Sequence, residues 1–168
     1  MADTPRQREI LAAARALLAA EGEAALTVAR IAQALSIKAP SLYKHFAGKR
    51  AIEVGLIAQG FAEQAEALER VGTDLVELGR VYRAFALREP ALYRLMTDGP
   101  LPRAELPDGL EARTAAPLVA AVGGDPDRAR AAWAFAHGMV TLELAGRFPP
   151  HADLDEAWRV GLSAFAPR

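Results

Sequence analysis

The feature that most constrains this chain is a missing one. No stretch alternates polar and apolar residues with the period of two that a half-buried strand requires. Ala, Leu, Arg and Glu, all good helix formers, fill almost every segment, and apolar residues recur three and four positions apart. An all-α fold of about nine helices without internal repeats is expected. Stop and start signals place the helices. Ile10, Ala14, Leu17 and Leu18 mark one face of a helix over residues 5–21, which Gly22 ends. Thr27 can cap a short second helix carrying Val28, Ile31 and Ala32 on one side. A third covers about 38–44, and a long fourth follows Gly48 to about residue 70. Thr73 or Asp74 can cap a fifth, Pro90 opens a sixth, and "TDGPLPRAELPDG" at 97–109 reads as a loop. Residues 110–122 are helical, with Pro117 either kinking the helix or forcing a start near Thr114. Asp125 and Pro126 open a helix to about 147, closed by Pro149 and Pro150. Asp153 and Glu156 have the spacing of a capping box for the last helix.

The 168 residues suffice for a small module joined to a medium one. A hydrophobic content of 52% with 24% charged residues argues for a folded chain. With no cysteine, disulfides, thiol catalysis and Cys-based zinc sites are excluded. The polar start "MADTPRQREI" argues against a signal peptide, and no apolar run approaches the roughly 20 residues of a membrane span. A cytoplasmic protein is expected. The net charge of −1 hides an asymmetry: residues 1–50 hold eight Lys/Arg against four Asp/Glu, whereas residues 51–168 hold twelve against seventeen. A basic head on an acidic body suggests that the head meets a polyanion.

All three lysines, Lys38, Lys44 and Lys49, fall in "IAQALSIKAPSLYKHFAGKR", residues 31–50. Within it, "TVARIAQA", the turn "LSI" and "KAPSLYKHF" supply the parts of a helix-turn-helix behind the longer first helix. Val28, Ala32 and Leu35 can meet Leu42 and Phe46 in an apolar seam. The remaining face of the third helix is then Lys38, Ala39, Ser41, Tyr43, Lys44 and His45, turned outward. Pro40 fits because first-turn residues have no intrahelical N–H partner to lose.

From about Ile10 to Leu56 the sequence resembles the DNA-binding domain of the tetracycline-repressor (TetR) family of bacterial transcription regulators. The resemblance is carried by Thr27 opening the second helix, by Pro40, Ser41, Leu42, Tyr43, His45 and Phe46 in the "P-S-L-Y-x-H-F" pattern, and by Lys49 with Ile52 in place of leucine. Ser36 stands where the family usually has a turn glycine, which costs some stability without removing a contact group. The resemblance implies that Thr27, Tyr43, His45 and Lys49 grip phosphates, and that Lys38, Ala39, Ser41 and Lys44 approach base edges. The plainer readings are a simple N-cap for Thr27 and a solvated helix face for Tyr43, Lys44 and His45. The expected division is 1–47 as the DNA-binding domain and 48–168 as the effector-binding and dimerisation domain.

In the body, the helix 127–147 carries two apolar stripes: Trp133, Ala136, His137, Val140 and Leu144 on one, and Phe135, Met139 and Leu142 on another. A helix apolar on two sides is packed on two sides. Trp158, Leu162 and Phe165 recur at helical spacing on the last helix. The resemblance implies a homodimer joined through the final two helices, with Phe135, Met139, Leu142, Trp158, Leu162 and Phe165 at the interface. Trp133, His137 and Gly138 also resemble the C-terminal subclass named for a tryptophan, a histidine and a glycine. Family bodies hold a small, mostly apolar effector, here expected against Phe61, Tyr82, Phe85, Tyr93, Met96, Trp133 and His137, for each of which ordinary core packing is the plainer reading. No Glu-x-x-His pair suggests a metal site, no cofactor is expected, and no nucleophile–base pair or Gly-rich phosphate loop suggests catalysis. The sequence therefore reads as a repressor of a near-palindromic double-stranded operator, released by the effector. The alternatives are a dimeric regulator that answers to no small molecule, and an all-helical enzyme.

Overall fold

The structure is a computed structural model that describes residues 4–167. Its described residues form nine α-helices and two short 3-10 turns, with no strand: α1 Pro5–Glu21, α2 Val28–Ala34, α3 Ala39–Leu42, α4 Lys49–Glu69, α5 Leu75–Arg88, α6 Pro90–Thr97, α7 Leu110–Ala121, α8 Pro126–Leu144 and α9 Leu154–Ser163. They divide into two compact units, Met1–Gly60 with Glu89–Pro107, and Phe61–Arg88 with Asp108–Arg168. The first unit is larger than the 1–47 head read from the sequence, because α6 packs on α1 and the start of α4 stays with the head.

In the first unit, Ile10, Leu11, Ala14 and Leu18 of α1 are buried together with Leu26, Ile31, Leu42, Ile52, Leu56, Leu92 and Tyr93. Helix α1 begins with a full capping box: the Thr4 hydroxyl accepts the Gln7 N–H, and the Gln7 side chain accepts the Thr4 N–H at 2.9 Å. It ends at Gly22, whose φ of 79° is open to glycine. Two other glycines admit close packing. A Cβ on Gly55 would stand 2.8 Å from Leu11 Cδ2, and one on Gly60 2.4 Å from Met96 Sδ.

In the second unit, Ala129, Ala132, Ala136 and Val140 give α8 its buried side, while α5 buries Leu75, Leu78, Phe85 and Ala86. Arg83 ties three helices together, donating twice to Glu143 of α8, at 2.8 and 2.7 Å, and once to Asp155 of α9. The half-buried setting of Arg83 and Glu143 makes this a sturdier tie than a surface ion pair. Helix α9 lies against α5 so closely that a Cβ on Gly79 would fall 2.1 Å from Leu162 Cδ1. Among the described residues, the Trp158 Nε1–H is the one buried side-chain polar atom without a hydrogen-bond partner.

Several local expectations are refined. Asp74, not Thr73, caps α5, accepting the N–H groups of Val76 and Glu77. Helix α7 starts at Leu110 rather than near Thr114 and carries Pro117 inside it. Helix α8 ends at Leu144, short of 147, because Gly146 at φ 62° turns the chain and the Arg147 N–H bonds back to Leu142 O at 2.9 Å. Asp153 caps α9 as expected, accepting the Glu156 N–H at 3.0 Å.

Candidate nucleic-acid interface

The candidate site is the outer face of the helix-turn-helix, and the turn sets its geometry. Helix α2 is capped by the Thr27 hydroxyl, which accepts the Arg30 N–H at 3.2 Å. It closes with Ser36 at φ 54°, where the Ser36 N–H bonds to Gln33 O and the Ile37 N–H reaches back to Ala32 O. That is the closure a left-handed residue makes possible. Serine therefore occupies the conformation for which a glycine was the expected occupant, at a steric cost.

Lys38 stands as the N-cap of α3, with Ala39 and Pro40 as its first residues. The regular helix stops at Leu42, shorter than the 38–44 expected. Residues 43–45 continue as turns in which both the His45 and Phe46 N–H groups bond to Leu42 O. Ala32 and Leu42 are buried and Val28, Leu35 and Phe46 half-buried, and α2 packs on α3 through this seam. The opposite side is open. Lys38, Lys44 and Thr27 are exposed, Tyr43 is 58% exposed, and Ala39, Ser41 and His45 are half-buried.

The two lysines at the ends of this face are uncommitted, unlike several arginines of the second unit. Among the described residues, Lys38 and Lys44 have no ion-pair partner. In the second unit, Arg80 pairs with Glu77, Arg113 with Glu69, Arg130 with Asp127 and Arg159 with Glu156. Lys49 differs from the other two lysines, because its Nζ lies 3.1 Å from Glu53 one turn on. Gln7 is a residue that the sequence reading passed over. Its amide donates to the His45 carbonyl at 3.4 Å, linking the start of α1 to the end of the recognition segment. The T-x-x-Q spacing of a capping box was the available signal.

The residues expected around an effector are divided. Tyr93 and Met96 are buried in the first unit. In the second unit Phe85 is buried, Phe61, Tyr82 and His137 are half-buried, and Trp133 is half exposed and stacked on His137 with ring centroids 5.8 Å apart. The set expected at a dimer interface also changes. Trp158 and Leu162 are 4% and 2% exposed and press on Gly79 of α5, so they belong to the core of their own subunit. Phe135 stands against α9, edge-on to Trp158 and near Phe165, and is half-buried like Met139 and Phe165; Leu142 stays 43% exposed.

A capped α2, a left-handed turn and a short α3 with an open cationic face define a helix-turn-helix protein, here with an all-helical second unit. Residues 10–52 match the family described as bacterial regulatory proteins, tetR family, and residues 75–165 match the one described as tetracyclin repressor-like, C-terminal domain. The chain belongs to the tetR family of bacterial regulatory proteins, and it is not an enzyme. Trp133, His137 and Gly138 fall inside the second match. Among curated proteins, the nucleoid occlusion factor SlmA of Vibrio vulnificus (strain YJ016) is 35% identical over 106 residues, 55% of this chain and 51% of that protein. The chain thus spans about half the length of the curated relatives it matches. Among solved structures, a TetR variant from Acinetobacter baumannii AYE in complex with minocycline is 27% identical with a TM-score of 0.64, covering 93% of this chain and 91% of its own. A protein of unknown function from Rhodococcus sp. RHA1, 24% identical with a TM-score of 0.76 over 96% of this chain and 94% of its own, shares the fold. No helix among the described residues is long and apolar enough to cross a membrane.

Proposed function

We propose that this chain is a dimeric, sequence-specific repressor of the bacterial cytoplasm that binds a near-palindromic duplex operator and leaves it when a small, largely apolar effector binds. The observation that carries the DNA reading is the open face of α3, on which Lys38, Tyr43 and Lys44 are exposed and both lysines lack an acidic partner. Thr27, Tyr43, His45 and Lys49 are assigned to phosphates, and Lys38, Ala39, Ser41 and Lys44 to base edges. Thr27 can do this while capping, because its oxygen accepts the Arg30 N–H and leaves the hydroxyl proton for a phosphate.

The dimer reading is supported by the outer faces of α8 and α9. Ala131, Ala134 and Leu142 lie exposed at helical spacing along α8, and Ala157 and Val160 along α9 with Ala164 at its C-cap, Val160 being 56% exposed. Gly138, in the same row of α8, has nothing within 4 Å of where a Cβ would stand. Small apolar residues in two adjoining rows let a second pair of helices approach closely, and exposed apolar patches mark association surfaces. The effector reading is supported by the related structure that holds minocycline. It is placed among the half-buried Phe61, Tyr82 and His137 of the second unit. The test is selection of bound duplexes from random oligonucleotides. Enrichment of two inverted half-sites is expected, and recovery of no preferred sequence would overturn the assignment. A subsequent ligand screen by melting shift, counted only where the ligand also releases the selected DNA, tests the effector.

A further inference from the structure

The first unit contains a cleft of about 190 Å³ that the expected effector residues do not explain, since only Met96 is common to both. Its apolar wall is Ile57 of α4 with Leu95 and Met96 of α6, and Glu23, Arg50, Glu53, Arg94 and Asp98 stand around it. The loop 98–102 borders the remaining side. At about 190 Å³ it falls below the roughly 300 Å³ at which pockets begin to hold drug-sized molecules, a size that suits a compact metabolite.

The charges around the cleft are opposed and partly uncommitted. Among the described residues, Arg94, Glu23 and Asp98 have no ion-pair partner, whereas Glu53 is held by Lys49 at 3.1 Å and Arg50 by Glu105 at 3.0 Å, which leaves Arg94 as the free guanidinium. A guanidinium and carboxylates about one apolar wall match a molecule that carries a carboxylate, an ammonium group and a short hydrocarbon. Arg94 takes the carboxylate in a two-pronged contact, Glu23 and Glu53 take the ammonium, and Ile57 and Met96 take the hydrocarbon. We infer that this cleft is a binding site for a free apolar α-amino acid or a zwitterion of the same size. Glu53 gives the site a route to DNA. An ammonium group at Glu53 competes with Lys49 for the carboxylate and frees the lysine for a phosphate, so occupancy strengthens DNA binding. That consequence rests on the DNA reading above; the binding itself does not.

The test is calorimetric titration of the full chain, without DNA, with valine, leucine, isoleucine, methionine and phenylalanine. For each amino acid that binds, the matched carboxylic acid without the amine and the amine without the carboxylate are titrated as controls. Saturable binding of at least one amino acid is expected, at least tenfold tighter than either control. Arg94→Ala and Glu23→Gln should each weaken it at least tenfold. Both side chains are exposed, so an unchanged melting temperature should accompany the loss. Binding by none of the five, binding that persists in both variants, or equal binding of the amine-free acid would overturn the site. Anisotropy of a selected duplex should then show at least threefold tighter DNA binding when the amino acid saturates the chain. Unchanged DNA affinity with intact amino-acid binding would overturn the link through Glu53 and leave the site standing, whereas no DNA binding at all would count against the DNA reading alone.

Discussion

Replacing Gly79 by alanine tests the placement of α9 on α5. In an isolated helix the change would gain about 1 kcal/mol, because glycine is the poorer helix former. Here the new methyl would stand 2.1 Å from Leu162 Cδ1 and 3.3 Å from Trp158 Cε3, with Gly79, Leu162 and Trp158 all buried. Leu162 cannot swing into solvent, and the Trp158 ring limits the other direction. Overpacking of this kind costs about 1–3 kcal/mol, and the upper end applies where the neighbour has no free volume. The net expectation is a loss of about 1–2 kcal/mol, read as a fall of about 3–6 °C in melting temperature for a chain of this size. Leu162→Ala alone should cost about 2–5 kcal/mol by opening a cavity. Combining the two puts a methyl into that cavity, so the double variant should be more stable than the sum of the singles by at least about 1 kcal/mol. Thermal unfolding followed by circular dichroism measures all three. A stabilised Gly79→Ala, or costs that simply add, would show that α9 does not press on α5 and would return Trp158 and Leu162 to the partner-facing set.

Ser36→Gly should raise stability by about 0.5–1 kcal/mol, the relief of a left-handed serine less the entropy glycine adds to the unfolded chain; a lower melting temperature would refute the strain. Val160→Glu should shift the chain to monomers in light scattering at micromolar concentration and weaken operator binding with little change in helix content, and an unaltered dimer would refute the α8–α9 face. Asp125 accepts the backbone N–H groups of Arg128 and Asp127, which hold its carboxyl below the ordinary aspartate range. Its contribution is therefore complete above about pH 4 and lost as the pH falls through the lowered value. Asp125→Asn, which caps without titrating, should flatten the loss of stability on the acid side, and an identical acid limb would refute the assignment.

The helices were legible wherever a cap or a breaker stood in the sequence. Gly22, Thr27, Pro90, Asp125 and Asp153 each bound an element as expected, because the groups they satisfy are local. Helix ends that depend on longer closures were less legible: α8 stops at Gly146 rather than at the prolines, and α3 loosens after Leu42. The face of α3 could be read because Leu42 and Phe46 leave one inward direction and the lysines another. The fates of Trp158 and Leu162 could not be, since periodicity shows that a face is apolar without showing whether α5 or another chain covers it. Gly79, the residue that lets α9 in, gives no periodic signal. The cleft beside Glu23 and Arg94 joins residues more than seventy positions apart, beyond the reach of any spacing argument.

The measurement closest to the central claim is the salt dependence of binding to a selected duplex, compared between the native chain and Lys44→Ala. If the face of α3 with Thr27 and Lys49 meets six to ten phosphates per dimer, affinity should fall by roughly 10³–10⁵ between 50 and 200 mM salt. Lys44→Ala should in addition change which bases are selected, at a cost of about 1–3 kcal/mol for the preferred site. Affinity that stays flat across that range, or a variant with the native affinity and the native base preference, would contradict the account.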